Sequence, residues 1–172
     1  MEELKISKVD KKEKYIEIIP QIESIISGES YLIAKMANIS SILKEAFDFW
    51  WIGFYLVDNF VGAKSNNNLP QLVLGPFQGP IACQRIDYGK GVCGTAWKKQ
   101  ETIIVPDVDK FPGHIACSSL SKSEIVVPIF GDAITSQTYV DKVIGVLDID
   151  SKEIDTFDDI DKLYLEKIVS LL

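Results

Sequence analysis

Residues 49–57, FWWIGFYLV, decide the fold: apart from one glycine they are all aromatic, branched or aliphatic, too few for a helix of their own and rich in strand-favouring side chains. They read as a buried strand. Side chains alternate along a strand, so Trp51, Gly53 and Tyr55 share one face while Trp50, Ile52, Phe54 and Leu56 share the other. Two large rings flanking a residue without a side chain predict a slot between aromatic walls, suited to a small, partly apolar ligand. The competing reading is plain core, with Gly53 letting a helix approach the sheet.

Upstream of this strand, Ile16, Ile19, Ile22, Ile25 and Ile26 recur at helical spacing until Gly28 interrupts. A second helical run passes through Leu32, Ile33, Met36, Ile39, Leu43, Ala46 and Phe47, which predicts two helices over about 13–47. Downstream, a polar stretch leads to residues 71–77, the returning strand of a hairpin. Glycine-rich loops surround Gly79, Gly89, Gly91 and Gly94, and a short helix is expected over about 92–99. Strands follow at 102–105, 124–130 and 140–150, with a long irregular loop at 107–121. A last helix over about 156–171 takes Thr156 as N-cap, with Asp159 in the capping-box position. Phe157, Ile160, Leu163, Tyr164, Ile168 and Leu171 line its apolar side. Helices, then hairpin-linked strands, then a helix define an α+β fold, one mainly antiparallel sheet with packed helices. The 172 residues suit one domain, 1–172, with its sheet and site region over about 49–151.

The composition is that of a soluble globular protein, 47% hydrophobic and 25% charged. A net charge of −7, spread along the chain, disfavours nucleic acid and anionic membrane surfaces, both of which need a basic stripe. No apolar run reaches the length of a membrane span, and the charged N-terminal residues lack the apolar core of a secretory signal. A cytoplasmic location is the expectation. In that reducing compartment three cysteines suggest no structural disulfide framework, though transient catalytic disulfides can form there.

Those cysteines, Cys83, Cys93 and Cys117, lie in glycine- and proline-punctuated loops, and the only histidine, His114, stands three residues before the last. Cys93 falls near the start of the short helix, where amides and the dipole favour a thiolate. His114 and Lys122 flank Cys117 and could lower its pKa. Three inert thiols are the alternative. One histidine and three scattered thiols fit no common zinc spacing, so no metal is expected. A separate signal comes from VIGVLDID, where Asp148 and Asp150 point to the same face as Ile144 and Val146. Two like charges there either sit in water past the sheet edge or await a cation. Glu124, at the start of its own strand, joins them if the two strands are neighbours. Crowded carboxylates raise one another's pKa, which allows one to donate a proton while another binds an ammonium.

The segments WIGFYLV, LVLGPFQGPIACQRIDYGKGVCGTAW, VPDVDKFPGHIACSSLSKSEIVVPI and GVLDIDS together closely resemble the free methionine-(R)-sulfoxide reductases, small enzymes built on a single GAF domain. The resemblance covers roughly residues 51–151 and includes all three cysteines. It implies a GAF-like sheet with packed helices, a cytosolic and often homodimeric enzyme, and reduction of the free amino acid rather than of protein-bound methionine sulfoxide. By resemblance, Cys117 matches the nucleophile, Cys83 the principal resolving thiol and Cys93 the third cysteine. Trp51 and Tyr55 match the aromatic wall around the sulfoxide methyl group. Glu124, Asp148 and Asp150 match the acidic cluster that binds the amino group and activates the sulfoxide. No bound cofactor is implied, and thioredoxin is the expected external reductant. The connection 131–142 looks longer than the family's usual turn, and the loop 58–70 looks idiosyncratic. A small-ligand sensing GAF module without catalysis is the alternative, disfavoured because no basic group beside the pocket suits a phosphate.

Overall fold

In the computed structural model, which describes residues 4–58, 70–114, 119–131 and 143–172, the sheet has six strands, all antiparallel to their neighbours. In chain order the described elements are α1 (Lys11–Ile26), α2 (Leu32–Phe47), β1 (Trp51–Val57), β2 (Gln71–Gln78), β3 (Arg85–Asp87), α3 (Gly91–Lys99), β4 (Ile103–Val105), a 3₁₀ turn (Val108–Lys110), β5 (Ser123–Phe130), β6 (Val143–Ser151) and α4 (Asp159–Val169). The strands run β3-β2-β1-β6-β5-β4 across the sheet, so the two strands that carry the acids, β5 and β6, lie side by side next to β1. The predicted α+β class and the hairpin from β1 to β2 agree with this order. The three-residue β3 was not anticipated; a run of three gives too little periodicity to read. Most of the loop 58–70 and of the connection 131–142 lies outside the described residues.

Alternation along the strands divides the molecule into two packed layers. Ile52, Phe54 and Leu56 of β1 meet Ile125, Val127, Leu147 and Ile149, and α1, α2 and α4 cover this face with Ile18, Ile22, Met36, Leu43, Leu165 and Ile168. Trp51, Tyr55, Val126 and Val146 project the opposite way and meet Val92, Cys93, Ala96 and Trp97 of α3. The thinner second layer, covered by a single described helix, contains the candidate site.

Three details correct the sequence expectations. A register shift between Ile129 and Phe130 breaks the alternation, so Ile144 packs with the helical layer while Val143 and Val146 face the other side. Trp50 precedes β1 and escapes its alternation, packing beside Trp51 on the α3 side rather than with Ile52. The cap of α4 is Asp158 and not Thr156: its carboxylate accepts from the N–H groups of Ile160 and Asp161, and Asp161 accepts from Asp158 N–H to close the box. Asp161 is drawn inward because Tyr15 Oη donates to its Oδ1 at 2.9 Å and Lys11 Nζ reaches its Oδ2 at 2.6 Å. That link between α1 and α4 selects between two overlapping capping patterns. The Thr156 hydroxyl instead lies 2.8 Å from Ser151 Oγ and closes the turn after β6. With the start displaced, α4 buries Tyr164, Leu165 and Ile168, and leaves Ile160 and Leu163 at the surface.

Candidate active site

Gly53 does not create a slot between two rings. A Cβ built there would lie 2.5 Å from Phe77 Cβ and 2.5 Å from the Trp51 ring, because the indole folds back over the glycine. The lost side chain therefore seats Trp51 itself, stacked on Phe77 with ring centroids 5.7 Å apart and close to Tyr55 at 6.1 Å. Gly53 also does not bring a helix to the sheet. The aromatic wall is real, but the cavity lies in front of it.

The polar tips of both rings hold one loop. Trp51 Nε1 donates to Pro80 O at 3.0 Å, and Tyr55 Oη donates to Cys83 O at 3.0 Å. The wall thus fixes the backbone on both sides of Ile81 and Ala82, which form the cavity lip. Cys83 in this loop is disulfide-bonded, whereas Cys93 is a free, buried thiol. Residue 117 lies outside the described residues, so the nucleophile assigned by resemblance has no geometry here.

Strand register assembles the floor. Glu124 on β5 pairs with Asp150 on β6, and Asp148 pairs with Gly53 of β1 on one side and Val126 of β5 on the other. All three acids line one cavity of about 50 Å³ beneath Trp51 and Tyr55. Asp148 does not sit at a solvated strand end: it and Glu124 are each only 6% exposed, and Asp150 is half-buried. Cys93 approaches from α3, with its Sγ 3.9 Å from Glu124 Oε1. Gly94 lets α3 start hard against the end of β3, where a Cβ would strike Asp87 O at 2.3 Å.

Burial dominates the electrostatics here. It raises Glu124 and Asp148 well above the usual carboxylate range, and the charge of neighbouring acids adds to the effect. Asp150 is pushed up to about 6 by burial, partly offset by a short hydrogen bond donated from the Ser121 hydroxyl. Desolvation is the larger cause, ahead of the like-charge repulsion expected of clustered acids. Cys93 does stand at a helix N-terminus, yet it is no thiolate: burial first, then Asp148 and Glu124, raise it well above a free thiol. A dipole worth a fraction of a kcal/mol at such a terminus is outweighed by loss of water and two facing acids.

Lys122 Nζ pairs with Asp109 Oδ2 at 3.2 Å, and burial lowers the His114 pKa, leaving a neutral imidazole 3.8 Å from Glu124 Oε2. Ser121 and His114 are cavity-lining residues that sequence reasoning did not place in the site, as are Pro80 and Ile81. Nothing in a short polar loop marks a serine as a carboxylate partner before its strand register is known.

The arrangement can hold a small ligand with an apolar end against the rings and a cationic end among the acids, and it can supply a proton from a carboxyl group. A GAF domain profile matches residues 32–172. The chain is 54% identical to GAF domain-containing protein A of Dictyostelium discoideum, over 99% of this chain and 98% of that one. It is 42% identical to free methionine-R-sulfoxide reductase of Saccharomyces cerevisiae, over 96% of this chain and 87% of that one. Among solved structures, free methionine-R-sulfoxide reductase from Neisseria meningitidis, in complex with its substrate, superposes with a TM-score of 0.86 at 47% identity, covering 99% of this chain and 93% of that one. Similarity of this degree over nearly the whole length of both chains makes the chain a member of the GAF-domain family and, within it, of the free methionine-R-sulfoxide reductases, which are oxidoreductases.

Proposed function

We propose that this protein reduces free L-methionine (R)-sulfoxide to methionine. The observation that carries the reading is the meeting of Trp51 and Tyr55 with Glu124, Asp148 and Asp150 in one cavity, apolar on one side and acidic on the other. The methyl-sulfinyl end of the substrate lies against the rings, and its ammonium meets the carboxylates. A peptide-linked residue offers only an uncharged amide nitrogen, which would leave the buried acids uncompensated, so the free amino acid is preferred.

One of the three acids gives a proton to the sulfoxide oxygen, and Cys117 thiolate attacks the sulfur. Oxygen passes to Cys117, methionine leaves with the sulfur electron pair restored, and Cys117 becomes a sulfenic acid. Cys83 condenses with it, releasing water and forming a disulfide; the disulfide-bonded state of Cys83 supports this role. Cys93, a free thiol kept protonated beside Glu124, acts as an auxiliary rather than the principal resolving group. An external dithiol of the thioredoxin class donates two electrons by exchange and restores both thiols. No bound cofactor enters the scheme. The enzyme works in the cytoplasm as a homodimer; for the described residues, no helix is long and apolar enough to cross a membrane.

The test is turnover of the separated R and S epimers of free methionine sulfoxide, and of N-acetylated methionine sulfoxide, with thioredoxin as reductant. The free R epimer should be reduced to methionine, while neither the free S epimer nor the acetylated compound should yield its thioether. Equal rates on the free R epimer and the acetylated compound would refute recognition of the ammonium by the acids.

A further inference from the structure

The cavity floor has donor chemistry beyond what the reductase scheme asks of its acids. Cys93 Sγ and one carboxylate oxygen each from Glu124 and Asp148 lie within 4.8 Å of one another, all three residues buried. Among the described residues Asp148 Oδ1 has no hydrogen-bond partner, although its residue is only 6% exposed and faces the cavity. A bare buried carboxylate oxygen is an unfilled coordination position as much as an unfilled ion pair.

We propose that these three side chains form a binding site for a thiophilic divalent cation of the zinc class, which takes the place of the substrate ammonium. Zinc accepts a thiolate at about 2.3 Å and carboxylate oxygens at about 2.0–2.2 Å, so tetrahedral ligands of these kinds stand roughly 3.6 Å apart. The 3.9 Å between Cys93 Sγ and Glu124 Oε1 is already near that span. Ligation releases the thiol proton, and any proton held by the two carboxyl groups, to solvent, and the resulting thiolate and two carboxylates bring three negative charges to the two of the ion. Three protein ligands leave the fourth tetrahedral position open toward the cavity. The sequence carries no zinc spacing because the donors come from three elements, α3, β5 and β6, that only folding brings together. An ion here occupies the acids that the proposed mechanism needs, so zinc is a reversible competitor of the substrate. The metal site stands on its own geometry; only the competition rests on the function proposed above.

The experiment uses the full chain in its oxidised form, freed of reductant, with cysteine 83 held in its disulfide. Titration with Co²⁺ should give a near-ultraviolet thiolate-to-metal band, and Zn²⁺ competing against a chromophoric chelator should bind once per chain. Cys93→Ser should abolish the band, and Cys93→Ser and Asp148→Asn should each weaken zinc at least tenfold. Circular dichroism on both variants separates loss of ligands from loss of fold, and Glu124→Gln provides a third ligand variant should either fail to fold. Absence of the band in the wild type, or zinc affinity unchanged in the folded variants, overturns the site. Excess L-methionine sulfoxide should lower the apparent zinc affinity. Zinc binding insensitive to it refutes the shared place. Epimer turnover on metal-free enzyme reports separately on the reductase reading.

Discussion

Asp150 gives the most direct physical test of how the acids shape this protein. Its carboxyl titrates at about 6 in the folded chain against an ordinary 3.8. At about 1.4 kcal/mol per tenfold change in proton affinity, that difference favours the protonated folded form by about 3 kcal/mol. The folded state holds the proton more tightly than the unfolded chain. The stability contributed by this group is therefore full below pH 4 and is lost as pH rises through about 6. At pH 7.5 an ionised Asp150 works against the fold. Asp150→Asn removes that charge and relieves Glu124 and Asp148 of its repulsion. It also exchanges a charged acceptor of the Ser121 hydroxyl for a neutral one, a loss of about 1 kcal/mol. The expected net gain at pH 7.5 is about 2 kcal/mol, which for a chain of this size raises Tm by about 4–8 °C. Near pH 4 the variant should have no advantage. Thermal and urea denaturation of EDTA-treated protein in a fixed redox state at both pH values measures this. In the same variant kcat/KM for free methionine sulfoxide should fall at least ~100-fold, since the proposed mechanism loses a charge that pairs with the ammonium. A variant less stable than the wild type at pH 7.5, or equally shifted at both pH values, refutes the reasoning.

Four further outcomes are expected. Cys117→Ser should abolish methionine formation, and normal turnover in that variant would remove the nucleophile assignment. Cys83→Ser should release about one methionine per enzyme and then stall with thioredoxin; undiminished multiple turnover would shift resolution to Cys93. Ser121→Ala removes the hydrogen bond that holds the Asp150 carboxyl down, so its pKa rises further. The acid limb of the kcat/KM profile should then move to higher pH, and an unmoved limb would show that Asp150 does not act in its ionised form. Tyr15→Phe leaves buried Asp161 without the Tyr15 hydroxyl as donor and should destabilise the protein by about 1–3 kcal/mol. Tyr15 titrates well above its usual value because of burial and then Asp161, so its contribution is present below pH 10 and fades above it. The difference between wild type and variant in urea denaturation should accordingly narrow on the alkaline side.

Local pattern carried the elements and the identities. The aromatic strand, the isoleucine-rich helices and the two later strands are governed by periodicity, which a chain displays before it folds. The motifs around Cys83, Cys93, Glu124 and the two aspartates pointed to the reductase family because reactive groups at fixed spacing leave a legible trace. Cap position and strand register were different. Thr156 and Asp158 offer equally good local capping, and only the contact of Asp161 with Lys11 and Tyr15, some 150 residues away in the chain, selects one. A register shift that no residue type announces turns Ile144 toward the helices. The Trp51 ring lies over Gly53, closing the slot that alternation alone would leave open.

The sequence by itself determined which residues form strands and helices and which chemical groups the chain can bring to a reaction. Tertiary structure alone decided that Cys93, Glu124 and Asp148 share one buried pocket, that Cys93 stays a thiol despite its helix terminus, and that Ser121 tunes Asp150. The physical reason is that proton affinity follows from lost water and facing charge, and both are properties of what packs against a group rather than of what precedes it in the chain.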